Sequence, residues 1–402
     1  MRARLRLRPG QVRREHGVVD VSSRHVVVLG AGASGVGAAR MLASRGDTRV
    51  TLVARSDETP FTRMLITGVA FGPLPPEAVA LPLPEVEFVA DTASEVDVGA
   101  RRVRLASGAR LRYDALIVAT GSRPRGLPPE LPGAAEARSA GLVHGLHSLD
   151  DALQLRERLA GFAGAARIAI LGGGAIAAET ASTLRAQGHT VILIARSRVP
   201  GIAAFGAPVA ERLAAEHSAR VLTRFGRSVD AVAAADGGLV IELDRGERVV
   251  ADFALLALGT EPSGPAPWAD GVHVDGRLRA DAPGVFGAGG VAVHRDEVLG
   301  SWRIDHWEDA AAQGAHAAQS VLHEFGAGAD PGDYLPRSSY LAMVHGLVVS
   351  GVGAPACGEA RLEDGEEFVA RHEFGGRVVG VSGIGAVGTV VQWSPRLHEA
   401  SA

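Results

Sequence analysis

The sequence contains no lysine and no asparagine, so all 41 of its basic residues are arginine. Without lysine there is no Schiff-base chemistry, no lysine-dependent phosphate loop and no lysine general base. A single cysteine, Cys357, excludes an intrachain disulfide and every paired-cysteine redox motif. Dithiol–disulfide chemistry is therefore out of reach. No apolar run approaches the roughly 18–20 residues that span a bilayer; the best candidate, Tyr340 to Pro355, is broken by His345 and three glycines. A net charge of -4 gives no electrostatic case for nucleic acid or an anionic membrane as partner. Residues 1–23 are rich in arginine but have no apolar signal core, and read as a solvated, disordered basic arm or a mis-assigned start, with a basic targeting stretch as the alternative. A cytoplasmic location follows. The histidines form no metal motif, and no nucleophile-elbow pattern occurs.

What is present is a repeat. The apolar strand His25-Val-Val-Val-Leu29 runs into Gly30-Ala-Gly32-Ala-Ser-Gly35, a helix ending near Gly46, and a second strand from Val50 to Ala54. The series returns as Arg167-Ile-Ala-Ile-Leu171, Gly172-Gly-Gly174-Ala-Ile-Ala177, a helix ending at Gly188, and a strand from Thr190 to Ala195. Later, Asp114-Ala-Leu-Ile-Val-Ala-Thr-Gly-Ser-Arg-Pro124 is mirrored by Asp252-Phe-Ala-Leu-Leu-Ala-Leu-Gly-Thr-Glu-Pro262. One glycine-rich motif is weak evidence; two, each followed at similar spacing by its own strand end, specify two related βαβ domains.

The glycines have separate tasks. The first allows the tight strand-to-helix turn, the second lets a diphosphate approach the backbone, and the third must be small for helix-on-sheet packing, for which Ala177 serves. The helices opening at Ala33-Ser34-Gly35 and at Ala175-Ile176 then offer unsatisfied N–H groups and a partial positive charge to that diphosphate. A third block, Val274 to Gly289, reads as a turn and a strand ending in glycines, followed by a helix from Asp305 to Phe325 with capping-box spacing between Asp305 and Glu308. This block restores the first domain, so the second is inserted into it. From about 330 the pattern changes to short strands and glycine turns, a small α+β domain.

These motifs resemble the pyridine-nucleotide flavoprotein reductases, specifically the ferredoxin/rubredoxin reductase-like branch that also contains apoptosis-inducing-factor-like and type II NADH dehydrogenase-like proteins. The resemblance rests on both glycine motifs, Pro60-Phe-Thr-Arg63, Pro76 to Pro82, Ala119-Thr-Gly-Ser-Arg-Pro124, His147 to Ala152 and Arg303-Ile-Asp-His-Trp-Glu-Asp-Ala310. It implies an α/β fold with two Rossmann-like domains. An FAD domain, 24–145 plus 263–329, is interrupted by an NAD(P)H domain, 146–262, and 330–402 form the C-terminal domain. Gly30, Gly32 and Gly35 would hold the FAD diphosphate, with Arg55 at the end of the second strand and Arg63 as a charge-assisted donor to the diphosphate or flavin edge. Thr120, Gly121 and Arg123 would line the FAD side of the cleft, Gly289, Gly290 and Val291 would form the third FAD motif, and His306 and Trp307 would meet the flavin pyrimidine end. Gly172, Gly174, Ala175, Ile176 and Gly259 would hold NAD(P)H, with Glu179 near the nicotinamide. Glu179 and Trp307 are the catalytic candidates; a solvated Glu179 and a core-filling Trp307 are the plainer alternatives.

The chain departs from that pattern in several places. Gly290 stands where the family usually has an aspartate that hydrogen-bonds the ribityl–diphosphate region, and Gly68 replaces a lysine. The acidic residue expected after each second strand is missing from Ala54-Arg55-Ser56 and Ala195-Arg196-Ser197. At the FAD site Asp57 or Glu58 is left to reach the ribose. At the other, Arg196 and Ser197 favour the 2′-phosphate of NADPH over NADH, unless Arg196 stacks on adenine.

The reading is an FAD-dependent NAD(P)H:acceptor oxidoreductase that passes electrons to a ferredoxin-like protein, a quinone or a small molecule; a homodimer is left open. The competing reading is a flavoprotein that binds FAD without nicotinamide turnover. Gly32→Glu, which puts a carboxylate where the diphosphate meets the backbone, is expected to abolish flavin uptake. The check is the flavin released on denaturation, with one equivalent from the variant as the contrary result.

Overall fold

Val26, Val27, Val28 and Leu29 are an unbroken apolar run because their strand is covered on both faces, and all four are fully buried. A computed structural model describes residues 24–46, 48–235, 237–296, 300–336 and 339–397; the basic arm expected over 1–23 lies outside the described residues. Arg24–Leu29 is the centre of a five-stranded parallel sheet in the order Val285–Gly287, Ala115–Val118, Arg24–Leu29, Thr48–Ala54, Glu87–Ala90. The strand of the third sequence block thus pairs beside the strand of the Ala119-Thr-Gly motif. Chain order reverses at Arg24–Leu29, the topological switch at whose carboxyl edge such sheets bind ligands.

The second glycine motif follows a strand of the same kind. Arg167–Leu171 centres a parallel sheet ordered Leu222–Phe225, Thr190–Ala195, Arg167–Leu171, Phe253–Leu256, Val143–Gly145. The chain divides into two compact units. The first holds the described residues up to Met64, Pro75–Arg123 and Thr260–Pro336; the second holds Leu65–Leu74, Pro124–Gly259 and the described residues after Pro336. The chain enters the second unit at Pro124, because Val143–Gly145 pairs in its sheet. The C-terminal part of that unit is a five-stranded antiparallel sheet in the order Tyr340–Val344, Leu347–Gly353, Arg377–Ile384, Phe368–Phe374, Glu359–Leu362.

In the first unit, helix Ala33–Ala43 packs backbone-close against helix Trp307–Glu324. A Cβ added at Gly37 would lie 2.7 Å from the Ala311 carbonyl oxygen, and one at Gly314 only 1.9 Å from that of Ser34. The contact therefore requires glycine; overpacking of this kind costs about 1–3 kcal/mol. The long helix starts at Trp307, with His306 at its N-cap and no side-chain cap bond. The capping box expected from Asp305 and Glu308 does not form, because His306 is the N-cap and Asp305 lies one residue before it, its Oδ2 turned to Ser122 and Thr260. Among the described residues no helix is long and apolar enough to cross a membrane.

In the second unit the antiparallel sheet is docked on two helices through histidines. His345, in the turn after Tyr340–Val344, donates its backbone N–H to Ser182 Oγ of helix Ala175–Ala186 at 2.7 Å, and its Nε2 lies 2.9 Å from His217 Nδ1 of helix Ala207–Arg220. His372 is 3.0 Å from Ser382 Oγ and fills the space beside Gly206, where a Cβ would come within 2.0 Å of the ring. Burial brings His217 down to about 4, with His345 adding to it, and brings His372 down to about 4. His345 is lowered by burial and by Arg220 and Arg185, against which Glu216 acts. At His217 and His372 the unfolded chain takes up its protons below the ordinary histidine value near 6.5 and the folded chain resists until about 4. Stability is therefore constant above that upper value and falls as the pH drops through this window, by up to about 3 kcal/mol for each uncompensated histidine. Denaturant melts across the window check this; His372→Gln should flatten the slope, and an unchanged slope would contradict it.

Candidate functional site

Both glycine turns are built by steric necessity. Gly30 has φ +100°, and a Cβ on it would lie 2.3 Å from the Ala119 carbonyl oxygen; a Cβ on Gly35 would lie 1.7 Å from that of Gly30. In the second unit Gly172 has φ +139°, with the Ala257 carbonyl oxygen 2.1 Å from its Cβ position, and Ala177 is fully buried at the third place. The middle glycines differ from these. Neither Gly32 nor Gly174 has any atom within 4 Å of its Cβ position, so open space lies above each.

Those glycines are also the N-caps of helices Ala33–Ala43 and Ala175–Ala186. Neither helix has a side-chain cap or an acidic residue in its first turn. The first N–H groups, at Ala33, Ser34 and Gly35 and at Ala175 and Ile176, are thus left with the helix dipole uncompensated. A helix N-terminus in this state is an anion site.

Around the first turn the chain assembles a polar network. Arg63 Nη1 donates to Ser122 Oγ at 3.1 Å, and Ser122 Oγ and Thr260 Oγ1 each donate to Asp305 Oδ2 at 2.6 Å. Arg303 donates to the Thr260 carbonyl at 2.7 Å, to Thr260 Oγ1 at 2.9 Å, and to the Gly290 carbonyl at 3.0 Å. Burial works against the Asp305 carboxylate, but bonds from Ser122 and Thr260 and the charges of Arg63 and Arg303 hold its pKa below the ordinary value. Burial lowers that of Arg63, Asp305 opposes the shift, and Arg55 adds to it. Arg55 and Arg63 are therefore within electrostatic range of each other.

The turn Gly289–Val291 is buried, and Gly289 N donates to Gln313 Oε1 at 2.8 Å. A Cβ on Gly289 would meet Ser34 Oγ at 2.6 Å, which puts this turn against the start of the first helix. Thr120 Oγ1, His306 Nδ1 and Trp307 Nε1 are buried without a hydrogen-bond partner among the described residues. A buried polar atom in that state costs about 1–3 kcal/mol, a cost that a polar ligand would relieve. Gly121 has φ +76°, and its Cβ position lies 3.1 Å from Arg63 Nη2. Arg123 goes elsewhere: it is half-exposed, bonded to Glu261 at 2.9 Å and to the Pro262 carbonyl at 3.3 Å.

In the second unit Glu179 Oε1 accepts from the Met343 backbone N–H at 3.4 Å, and burial raises its pKa. Arg196 and Ser197 are exposed just past the strand Thr190–Ala195, and Gly259 has φ +82° with open space at its Cβ position. Pro200 closes over the loop, 2.7 Å from the Cβ position of Gly173. Sequence reasoning missed Ser122, Thr260, Arg303 and Asp305 as a group. All four lie within sequence motifs, but a bond between Ser122 and Asp305 spans 183 positions and leaves no local signal.

Residues 24–314 match the family model for pyridine nucleotide-disulphide oxidoreductases. The chain is 30% identical over 330 residues to the anthranilate 1,2-dioxygenase system ferredoxin–NAD(+) reductase component of Burkholderia cepacia, covering 75% of this chain and 76% of that protein. Its fold matches the crystal structure of a covalent putidaredoxin reductase–putidaredoxin complex with a TM-score of 0.80 at 22% identity, over 92% of each chain. An engineered water-forming NADPH oxidase bound to NADPH, made from a Lactobacillus brevis NADH oxidase, matches with a TM-score of 0.77 at 20% identity, over 94% of this chain and 91% of that one. Among its substitutions, consecutive aspartate, alanine and methionine are replaced by alanine, arginine and serine.

Proposed function

The chain belongs to the pyridine nucleotide-disulphide oxidoreductase family, and we propose that it is an NADPH-dependent flavoprotein reductase whose electrons go to a ferredoxin-like iron–sulfur protein. The observation that carries this reading is the pair of uncapped helix N-termini, each with open space over its second glycine. One dinucleotide goes to each: FAD to the first unit and NADPH to the second.

The first unit fits FAD because its unpartnered polar atoms and paired arginines complement the group's opposite parts. Arg63 and Arg55, with the N–H groups of Ala33, Ser34 and Gly35, face the diphosphate, as does the close backbone at Gly32. Thr120, His306 and Trp307 offer the buried hydroxyl and ring nitrogens to the flavin edge, where the start of helix Trp307–Glu324 favours negative charge. Bound FAD supplies a hydride acceptor that also gives up electrons singly. Glu179, kept more basic than an ordinary carboxylate by burial, is assigned to the nicotinamide side. With one cysteine the chain has no dithiol to reduce, so the electrons must leave to an external acceptor. The Burkholderia relative's name, a ferredoxin–NAD(+) reductase component, supports an iron–sulfur acceptor over a quinone or a small molecule. A cytoplasmic setting accords with that cysteine count.

Cofactor choice turns on Ala195-Arg196-Ser197. A carboxylate at this strand end would accept from both ribose hydroxyls and repel a 2′-phosphate. Here the strand runs instead into an exposed guanidinium and a hydroxyl, the same triplet that the engineered NADPH oxidase carries. Steady-state turnover of the FAD-loaded enzyme with a ferredoxin should be faster with NADPH than with NADH. Arg196→Ala should raise the NADPH Michaelis constant about tenfold, the loss of one charge-assisted contact, and leave NADH nearly unchanged. Equal loss with both cofactors would mean that Arg196 stacks on adenine; no turnover with either would overturn the function.

A further inference from the structure

Gly290 and Asp305 compete for one place. A Cβ built on Gly290 would lie 2.6 Å from Asp305 Oδ1 and 3.2 Å from its carboxyl carbon. The space into which a side chain at 290 would grow is thus already filled by a carboxylate from the other side of the turn. The two oxygens of that carboxylate are unlike. Oδ2 accepts from both Ser122 and Thr260, whereas Oδ1 accepts no hydrogen bond from any described residue. The side chain is about a quarter exposed, at 25%, and an ionised carboxylate is an acceptor only.

We propose that Asp305 positions the flavin dinucleotide at the Gly289–Val291 turn, its Oδ1 accepting a hydrogen bond from a hydroxyl of the polyol chain. The proposal rests on the first unit being the FAD site. The polarity of the surroundings selects the hydroxyl: a carboxylate repels the diphosphate, which belongs with Arg55, Arg63 and the helix N-terminus, and pairs with a neutral donor. Arg303 fixes the geometry, since it holds the Gly290 carbonyl at 3.0 Å and Thr260 at 2.7 Å, and approaches Asp305 Oδ2 at 3.7 Å. On this account glycine at 290 loses no polar contact to the ligand. The contact is made from position 305, and any larger residue at 290 would displace it.

The test exchanges the carboxylate between the two positions. Flavin bound per chain and the FAD dissociation constant are measured for the wild type, Asp305→Gly, Gly290→Asp and the double variant, with the melting temperature of each FAD-free protein alongside. Asp305→Gly should weaken FAD by about tenfold or more. Gly290→Asp should do the same, because two carboxylates then meet in one space. The double variant, with one carboxylate again, should bind within about threefold of wild type. Wild-type affinity in Asp305→Gly, or a double variant no better than the singles, would overturn the role of Asp305. A wild type that takes up no FAD would overturn the reading beneath it.

Discussion

The whole arrangement depends on two helix N-termini being left without a cap. An uncapped terminus carries several unsatisfied N–H groups and a partial positive charge, and here neither Gly32 nor Gly174 supplies a side chain to answer them. Each terminus is therefore open to an anion. Much of the surrounding packing serves to hold that terminus still. Gly30 and Gly172 bend the chain against the carbonyls of Ala119 and Ala257, and Gly314 lets the long helix rest on the Ser34 backbone. The Gly289 turn in turn rests against the Ser34 side chain. Substituting these outer glycines would move the amides; substituting the middle ones would block what the amides bind.

Charge is divided around the first terminus in a way that matches a ligand with an anionic middle and neutral polar ends. Arg55 and Arg63 lie within electrostatic range of each other, and the Asp305 carboxylate stands at the buried turn, accepting from Ser122 and Thr260 with Arg303 3.7 Å away. Burial alone would favour protonation of Asp305, and it is this donor set that keeps the group ionised. The chain has no lysine with which to build such a site, and the planar, always-charged guanidinium is the better group for it, since it reaches several acceptors at fixed angles. Arg303 does so with Thr260 and Gly290 together.

Much of the fold was legible because its signals are local and occur twice. The apolar runs at 25–29 and 167–171, their glycine turns and their second strands give strand, turn and helix without reference to the rest of the chain, and the sheets have those strands at their centres. The long helix was legible too, but its start was not: Asp305 and Glu308 have the spacing of a cap, and the competing bonds from Ser122 and Thr260 come from positions far along the chain. The same non-locality hid the docking of the C-terminal sheet through His217, His345 and His372, three residues with no motif around them. At Gly290 the sequence showed a missing carboxylate, while the structure has one in the same space from Asp305. A glycine read alone signals loss; a contact across the fold can restore what it lacks.

The central claim is that one chain holds a flavin and a nicotinamide dinucleotide for reaction with each other. It is tested most directly by loading the protein with FAD, removing oxygen, and adding one equivalent of NADPH while the visible flavin absorbance is recorded. The account predicts that the yellow band bleaches with one NADPH consumed per flavin, and that air or an oxidised ferredoxin restores it. A protein that retains its flavin but keeps its colour with both NADPH and NADH would contradict it.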